Sequence, residues 1–330
     1  MTANRSLKRQ VRARAAKTGE SYTTALRHFR PTLRGDEMPK TLRLAVAQTT
    51  YRDDPRDPAL LRASGQEIRR LMRDAHAAGA RIVHFTEGAT CFPNKHLMSS
   101  TGPDEVGPAD WTRFRWDVLR DELTAITRLA GELGLWTVLG SVHPLTAPNR
   151  PHNSLYVISD RGKVATRYDE RTLSTTKRTW MYTAGTAPVT FEVDGFTFGC
   201  ALGMDVHMHE LFSAYEDQEV DCLLVSTTGG VPVGPAEAAE AQGYAATHHF
   251  WVSFAVTAEH SLAVPSGVTG LDGSWTAQCP ADGRPAVTLV ELNPEDRSPG
   301  LRTWRRNTRR ALADHLTAPA DTRSTTRTSF

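Results

Sequence analysis

The sequence predicts an α/β protein, a layered sandwich with a mixed sheet. From Thr41 onward, strand patterns alternate with amphipathic helix patterns, and hairpins are set between them. At 330 residues the chain can bury a sizeable core, as one large α/β domain or two ordinary ones. Hydrophobic residues make up 39% and charged residues 23%, which fits a soluble globular chain and excludes a disordered or fibrous one.

The elements follow in order. "LRLAVAQ" reads as a strand, and a helix from about Ala59 to Ala78 turns Leu60, Leu61, Ile68, Leu71 and Met72 inward. "ARIVHFTE" is the next strand, a helix covers Trp116 to Leu133, and "WTVLGSVH" is another strand. Two hairpins follow, with turns at Asp160–Gly162 and Asp194–Gly195. A helix begins near His209, and "DCLLVST" is a strand. The next helix runs from Pro235 to His249 and is followed by "FWVSFAVTAE". The stretch from Ser266 to Leu292 closes the pattern as β-hairpin material.

The two ends differ from this body. Between Arg5 and Arg34 there are nine basic residues and one acidic residue, Glu20. Leu7, Val11 and Ala15, then Tyr22, Ala25, Leu26 and Phe29, predict two short helices parted by "TGE". The expected organisation is a basic helical N-terminal extension over 1–40, a main domain over 41–296, and a basic helix with a disordered tail over 297–330. With a net charge of +2, the chain as a whole gives no argument for a polyanionic partner, so nucleic acid is not expected. The extension is expected to pack on the main domain or on a second subunit.

Cys91, Cys200, Cys222 and Cys279 are far apart and form no CxxC pair, which predicts reduced thiols in a cytoplasmic protein. No apolar run is long enough to span a membrane, and the N-terminus has no apolar h-region of a secretory signal. No cofactor is expected.

Three segments carry the chemistry. "VHFTEG" ends a strand at Glu87, "ATRYDERTL" ends a hairpin at Glu170, and "GCALGMDVHMHEL" ends a strand at Gly203. In order and spacing they resemble the nitrilase, or carbon–nitrogen hydrolase, superfamily over roughly residues 41 to 295. Its strand ends read F-P-E, Y-x-K-x-x-L and C-Y-D-x-R-F-P-E. Tyr168, Leu173, Met204, Asp205 and Glu210 match, as do Asn153 before the hairpin, "YTAG" at Tyr182–Gly185, and the Gly267–Gly283 region. The resemblance implies a nitrilase-like α-β-β-α sandwich that forms a homodimer or larger homo-oligomer. It also implies a cysteine nucleophile, a glutamate base and a lysine that steadies developing charge.

Here Glu87 falls on the base, but Glu170 stands at the lysine position and Gly203 at the cysteine position. The resemblance therefore predicts a degenerate triad and a pseudoenzyme that binds a ligand or a partner. The alternative is a repurposed enzyme in which Glu87 and Glu170 share a proton and act on a small nitrogen-containing substrate. A substitute nucleophile is the least favoured reading. Strand alternation turns Cys200 away from residue 203, and Cys91 reads as a packed loop cysteine. Lys177 could swing in as a replacement cation, but a solvated loop lysine is the simpler reading. Likewise, one carboxylate could turn to solvent or pair with Arg171. Asn153, Asp205, His207 and His248 are the candidate ligand-binding residues. His207 and His209 at a helix start point in different directions, so no metal site is expected.

Overall fold

A computed structural model describes residues 12, 15–17, 19, 41–228 and 234–314. The N-terminal helices and the C-terminal tail read from the sequence lie outside these residues, except that residues 12 and 15–17 are helical. The chain divides into two compact units, residues 40–297 and a second formed by residues 1–39 with 298–330. The described part of the second unit is chiefly a helix, Pro299–Asp314, with Arg302, Arg305, Arg306 and Arg309 at helical spacing and Trp304 exposed.

Among its described residues, the unit over 40–297 contains twelve strands. These are β1 (Leu42–Gln48), β2 (Ile82–His84), β3 (Trp136–His143), β4 (His152–Ile158), β5 (Val164–Asp169) and β6 (Thr190–Val193), followed by β7 (Phe196–Leu202), β8 (Cys222–Ser226), β9 (Trp251–Ala255), β10 (Gly267–Thr269), β11 (Trp275–Gln278) and β12 (Ala286–Leu292). Its helices are α1 (Pro58–Ala77), α2 (Lys95–Met98), α3 (Trp116–Leu133), α4 (His209–Asp217) and α5 (Ala236–His248). The strands form two six-stranded sheets, ordered β12-β1-β2-β3-β4-β5 and β11-β10-β9-β8-β7-β6. In each sheet three parallel strands lie at the centre, with antiparallel strands outside them.

Local chemistry explains the element ends. The Asp57 side chain accepts the Ala59 N–H, and Pro58 opens α1 where a missing N–H costs nothing. The β6–β7 turn puts both Asp194 and Gly195 at positive φ, as a two-residue hairpin of matching twist requires.

The sheets pack face to face. Leu44, Val46, Ile82 and Val138 of the first meet Phe198, Cys200, Leu202 and Leu224 of the second. Each such fully buried side chain contributes roughly 2 kcal/mol, so this layer is a principal source of stability. On the outer faces, Ile68, Leu71, Ile126 and Leu129 of α1 and α3 cover Ala45, Val83 and Phe85, while Phe212, Tyr215 and Ala241 of α4 and α5 cover Leu223 and Val225. The architecture is an α-β-β-α sandwich with two mixed sheets. The alternation of strands and helices predicts one mixed sheet and places residues 286–292 in a closing hairpin. In the structure β10 and β11 form that hairpin, whereas β12 crosses to the other sheet and pairs with β1.

Candidate active site

The site forms where the central strands end. Glu87 follows β2, on backbone that passes unusually close over β3. A Cβ at Gly140 would stand 2.0 Å from the Thr86 carbonyl oxygen, so only glycine permits the approach. Asn153 lies on β4, and Glu170 follows β5, its N–H bonded to the Asn153 carbonyl at 2.9 Å. After Glu170 the chain loops out and returns through a π-helical turn, Lys177–Met181, which points Lys177 back into the site. Gly203 follows β7 with φ of +57°, a conformation that favours glycine, and opens the 3₁₀ turn Gly203–His207 before α4.

These side chains form one closed network. The Lys177 ammonium donates to Glu87 Oε1 at 2.7 Å and to both oxygens of Glu170 at 3.0 and 2.8 Å. Asn153 Nδ2 donates to Glu87 Oε1 and Glu170 Oε2, each at 2.7 Å. Backbone N–H groups complete it: Thr228 to Glu87 Oε2 at 3.0 Å, and Met204 to Glu170 Oε1 at 3.1 Å. All four carboxylate oxygens therefore accept bonds from the protein. The Phe92 ring lies 5.5 Å from the Lys177 nitrogen and helps wall the site.

Burial sets the electrostatics. Glu170 is 1% exposed, and desolvation, opposed by the Lys177 charge and reinforced by Glu87, pushes its carboxyl up to about 7. Burial alone would lower the Lys177 ammonium, but Glu170 and then Glu87 outweigh it and hold the group above its ordinary value. The Lys177 side chain is only 15% exposed. The solvated-lysine reading is thus corrected, because two buried carboxylates need a cation more than the loop needs a solvated tip. Neither carboxylate turns to solvent, and the hydrogen bonds at the carboxylates come from Lys177, Asn153 and backbone rather than from Arg171.

Gly203 and Glu170 fit each other. A Cβ at residue 203 would stand 2.5 Å from Glu170 Oε1 and 3.0 Å from both Glu87 Oε1 and the Lys177 nitrogen. Any side chain there requires Glu170 to move.

The other candidate residues have different tasks. Asp205 is fully buried and accepts from the Tyr168 hydroxyl at 2.7 Å and from the Thr172 and Leu202 N–H groups at 2.8 and 3.1 Å. It pins the 171–172 loop to the turn, and these bonds occupy both its oxygens. His207 is partly exposed and bonds Glu240 of α5 at 2.7 Å. His248 bonds Glu216 at 2.6 Å and stacks on His209 and Phe250 in the outer α4–α5 layer, so it serves helix packing rather than the site. Among the described residues no group of three or more His, Cys, Asp or Glu could hold a metal ion. Cys200 lies in the inter-sheet core, and Cys91 packs with Leu61 and Val118.

Residues 43–300 match the profile of the carbon-nitrogen hydrolases. The chain belongs to this family. Solved structures agree on the fold. A cysteine-to-alanine variant of the Nesterenkonia AN1 amidase from the nitrilase superfamily is 15% identical, with a TM-score of 0.63 over 84% of this chain and 98% of that one. Another variant of this amidase carries the acetamide moiety of fluoroacetamide on its active-site cysteine. It is 16% identical, with a TM-score of 0.62 over 82% and 96%. The glutamine-dependent NAD+ synthetase of Acinetobacter baumannii is 16% identical, with a TM-score of 0.60 over 78% of this chain and 46% of that one. No curated protein sequence matches.

Proposed function

We propose that this carbon–nitrogen hydrolase relative does not hydrolyse amides or nitriles through a thiol, and that it works as a ligand-binding or scaffolding pseudoenzyme. One observation carries the reading. Glu170 Oε1 occupies the point where the Met204 N–H and the Lys177 ammonium converge, beside Gly203. A backbone N–H just after the nucleophile, together with a cation, is what an acyl-transfer site uses to hold a developing oxyanion. Here the chain's own carboxylate fills that hole, and the adjoining residue has no nucleophile.

The cysteines support the same reading. All four are buried, and desolvation pushes Cys200 and Cys279 up to about 12 and raises Cys91 and Cys222. None offers a thiolate at neutral pH. Acid–base catalysis by Glu87 and Glu170 on a small nitrogen-containing substrate has less support, because their oxygens are already engaged. Family membership favours a homodimer or larger homo-oligomer. The free cysteines favour a cytoplasmic setting, and no helix among the described residues is long and apolar enough to cross a membrane.

The test is covalent labelling. The native chain treated with fluoroacetamide should keep its intact mass and release no ammonia from simple amides. Gly203→Cys combined with Glu170→Ala opens the hole while leaving Lys177 in place, and should gain a single adduct on the introduced thiol. An adduct on the native chain overturns the proposal. An unreactive thiol in a folded double variant overturns the assigned convergence of donors.

A further inference from the structure

Sheet one carries α1 and α3 on its outer face, yet β4 and β5 extend beyond α3. The gap is a groove of about 1010 Å³. Successive turns of α3 make one wall through Trp116, Leu119, Leu123 and Thr127, while Val142, Leu145, Tyr156 and Val164 supply the floor and far side. Val164 is 52% exposed, unusual for a valine on a strand. One end is closed where Gly131 of α3 meets Gly162 of the β4–β5 turn.

Charge in the groove is of one sign. Arg120, Arg128 and Arg161 line it, and no Asp or Glu does. Arg128 shares Glu132 at 3.5 Å, both largely exposed, whereas Arg120 and Arg161 form no ion pair among the described residues. The remaining polar pair is satisfied internally, His143 Nδ1 with the Tyr156 hydroxyl at 2.6 Å. Burial and then the Arg167 charge lower the His143 pKa, which leaves the arginines as the charge of the groove at neutral pH. An apolar trough rimmed by guanidinium groups, those of Arg120 and Arg161 without an ion pair among the described residues, selects an anion with an apolar body, since guanidinium matches a carboxylate in a two-pronged fit.

We propose that this groove, which none of Glu87, Asn153, Glu170 and Lys177 lines, is a binding site for an amphipathic carboxylate of the fatty-acid class. The chain lies against Trp116, Leu123 and Val164, and the carboxylate meets Arg120 or Arg161.

Calorimetric titration of the full chain with dodecanoate below its micellar range tests the proposal. Saturable binding of one dodecanoate per chain is expected, with dodecyltrimethylammonium failing to bind. Arg120→Glu with Arg161→Glu, and separately Leu145→Asp, should each weaken binding by about tenfold or more. All three positions are outside the buried core, so the fold should persist. Equal affinity for the cationic amphiphile, or unchanged affinity in the charge-reversed variant, overturns the proposal. So does a dimer whose interface excludes dodecanoate, which would assign the groove to a second copy. Sedimentation with phosphatidylglycerol vesicles without dodecanoate binding would assign it to a lipid surface and overturn the proposal equally.

Discussion

His84 and Glu87 stand three residues apart at the end of β2, and each anchors a buried polar cluster of a different kind. His84 spans the two sheets, with Nδ1 at 2.9 Å from Ser253 Oγ and Nε2 at 2.7 Å from Ser226 Oγ. The Ser226 hydroxyl donates to the Phe85 carbonyl, so it accepts from Nε2–H and leaves Nδ1 to accept from Ser253. Burial lowers the His84 pKa to about 3, and the ring is neutral. Glu87, by contrast, shares a fixed cation with Glu170. Neutral groups can be buried with hydroxyls alone, whereas a buried carboxylate pair demands a counter-charge. The two clusters should therefore respond oppositely to pH.

The largest test removes that cation. Lys177→Met leaves two carboxylates facing each other in a dry site and should cost about 3–5 kcal/mol in denaturant unfolding. A loss below about 1 kcal/mol would mean that the carboxylates share a proton and need no lysine.

Next comes the pH response of the charged cluster. The folded pKa of Glu170 lies above its ordinary value of 4.5, so folding favours the protonated form. Its contribution is present at low pH and lost as pH rises from 4.5 through about 7, by up to about 3 kcal/mol. Thermal unfolding of Glu170→Gln against the parent chain should show the difference growing over that window. A pH-independent difference would leave Glu170 ionised throughout.

His84 has the opposite sign. Its folded pKa is depressed, so stability present above the unfolded value of 6.5 is lost as pH falls. The loss is about 1.4 kcal/mol per pH unit, or roughly 2 kcal/mol by pH 5. His84→Gln, which can keep both serine contacts, should flatten this acid limb. An unchanged limb would put the acid sensitivity elsewhere.

The smallest effect concerns Gly203. Gly203→Ala should cost about 1–2 kcal/mol through its positive φ and the 2.5 Å approach to Glu170. The cost should shrink in a Glu170→Ala background. Simple additivity in the double-mutant cycle would show that the two residues do not compete for space.

How much of this was legible in the sequence depends on distance along the chain. Glu87, Glu170 and Gly203 each end a strand, so the apolar runs before them reveal their places, and the order of the runs reveals the layered fold. Asn153 is legible from the strand that precedes the hairpin. Lys177 is not, because nothing periodic in "RTLSTTKRTW" announces a π-helical turn that folds the lysine back toward a carboxylate seven positions earlier. The task of Asp205 is hidden for a similar reason: two of its partners, Tyr168 and Thr172, are more than thirty residues away. The local clue was only that a buried turn carries an acid.

By itself the sequence determined which strands exist, where they end, and that the turn at Gly203 carries no nucleophile. These are properties of short segments, set by side-chain pattern and by backbone freedom at one residue. Only the tertiary structure decided that Glu170 Oε1 meets the Met204 N–H and the Lys177 ammonium beside Gly203, and that β12 closes the opposite sheet. Each depends on segments far apart in sequence meeting in a dry space, where the need to satisfy buried charge, rather than any local preference, selects the partner.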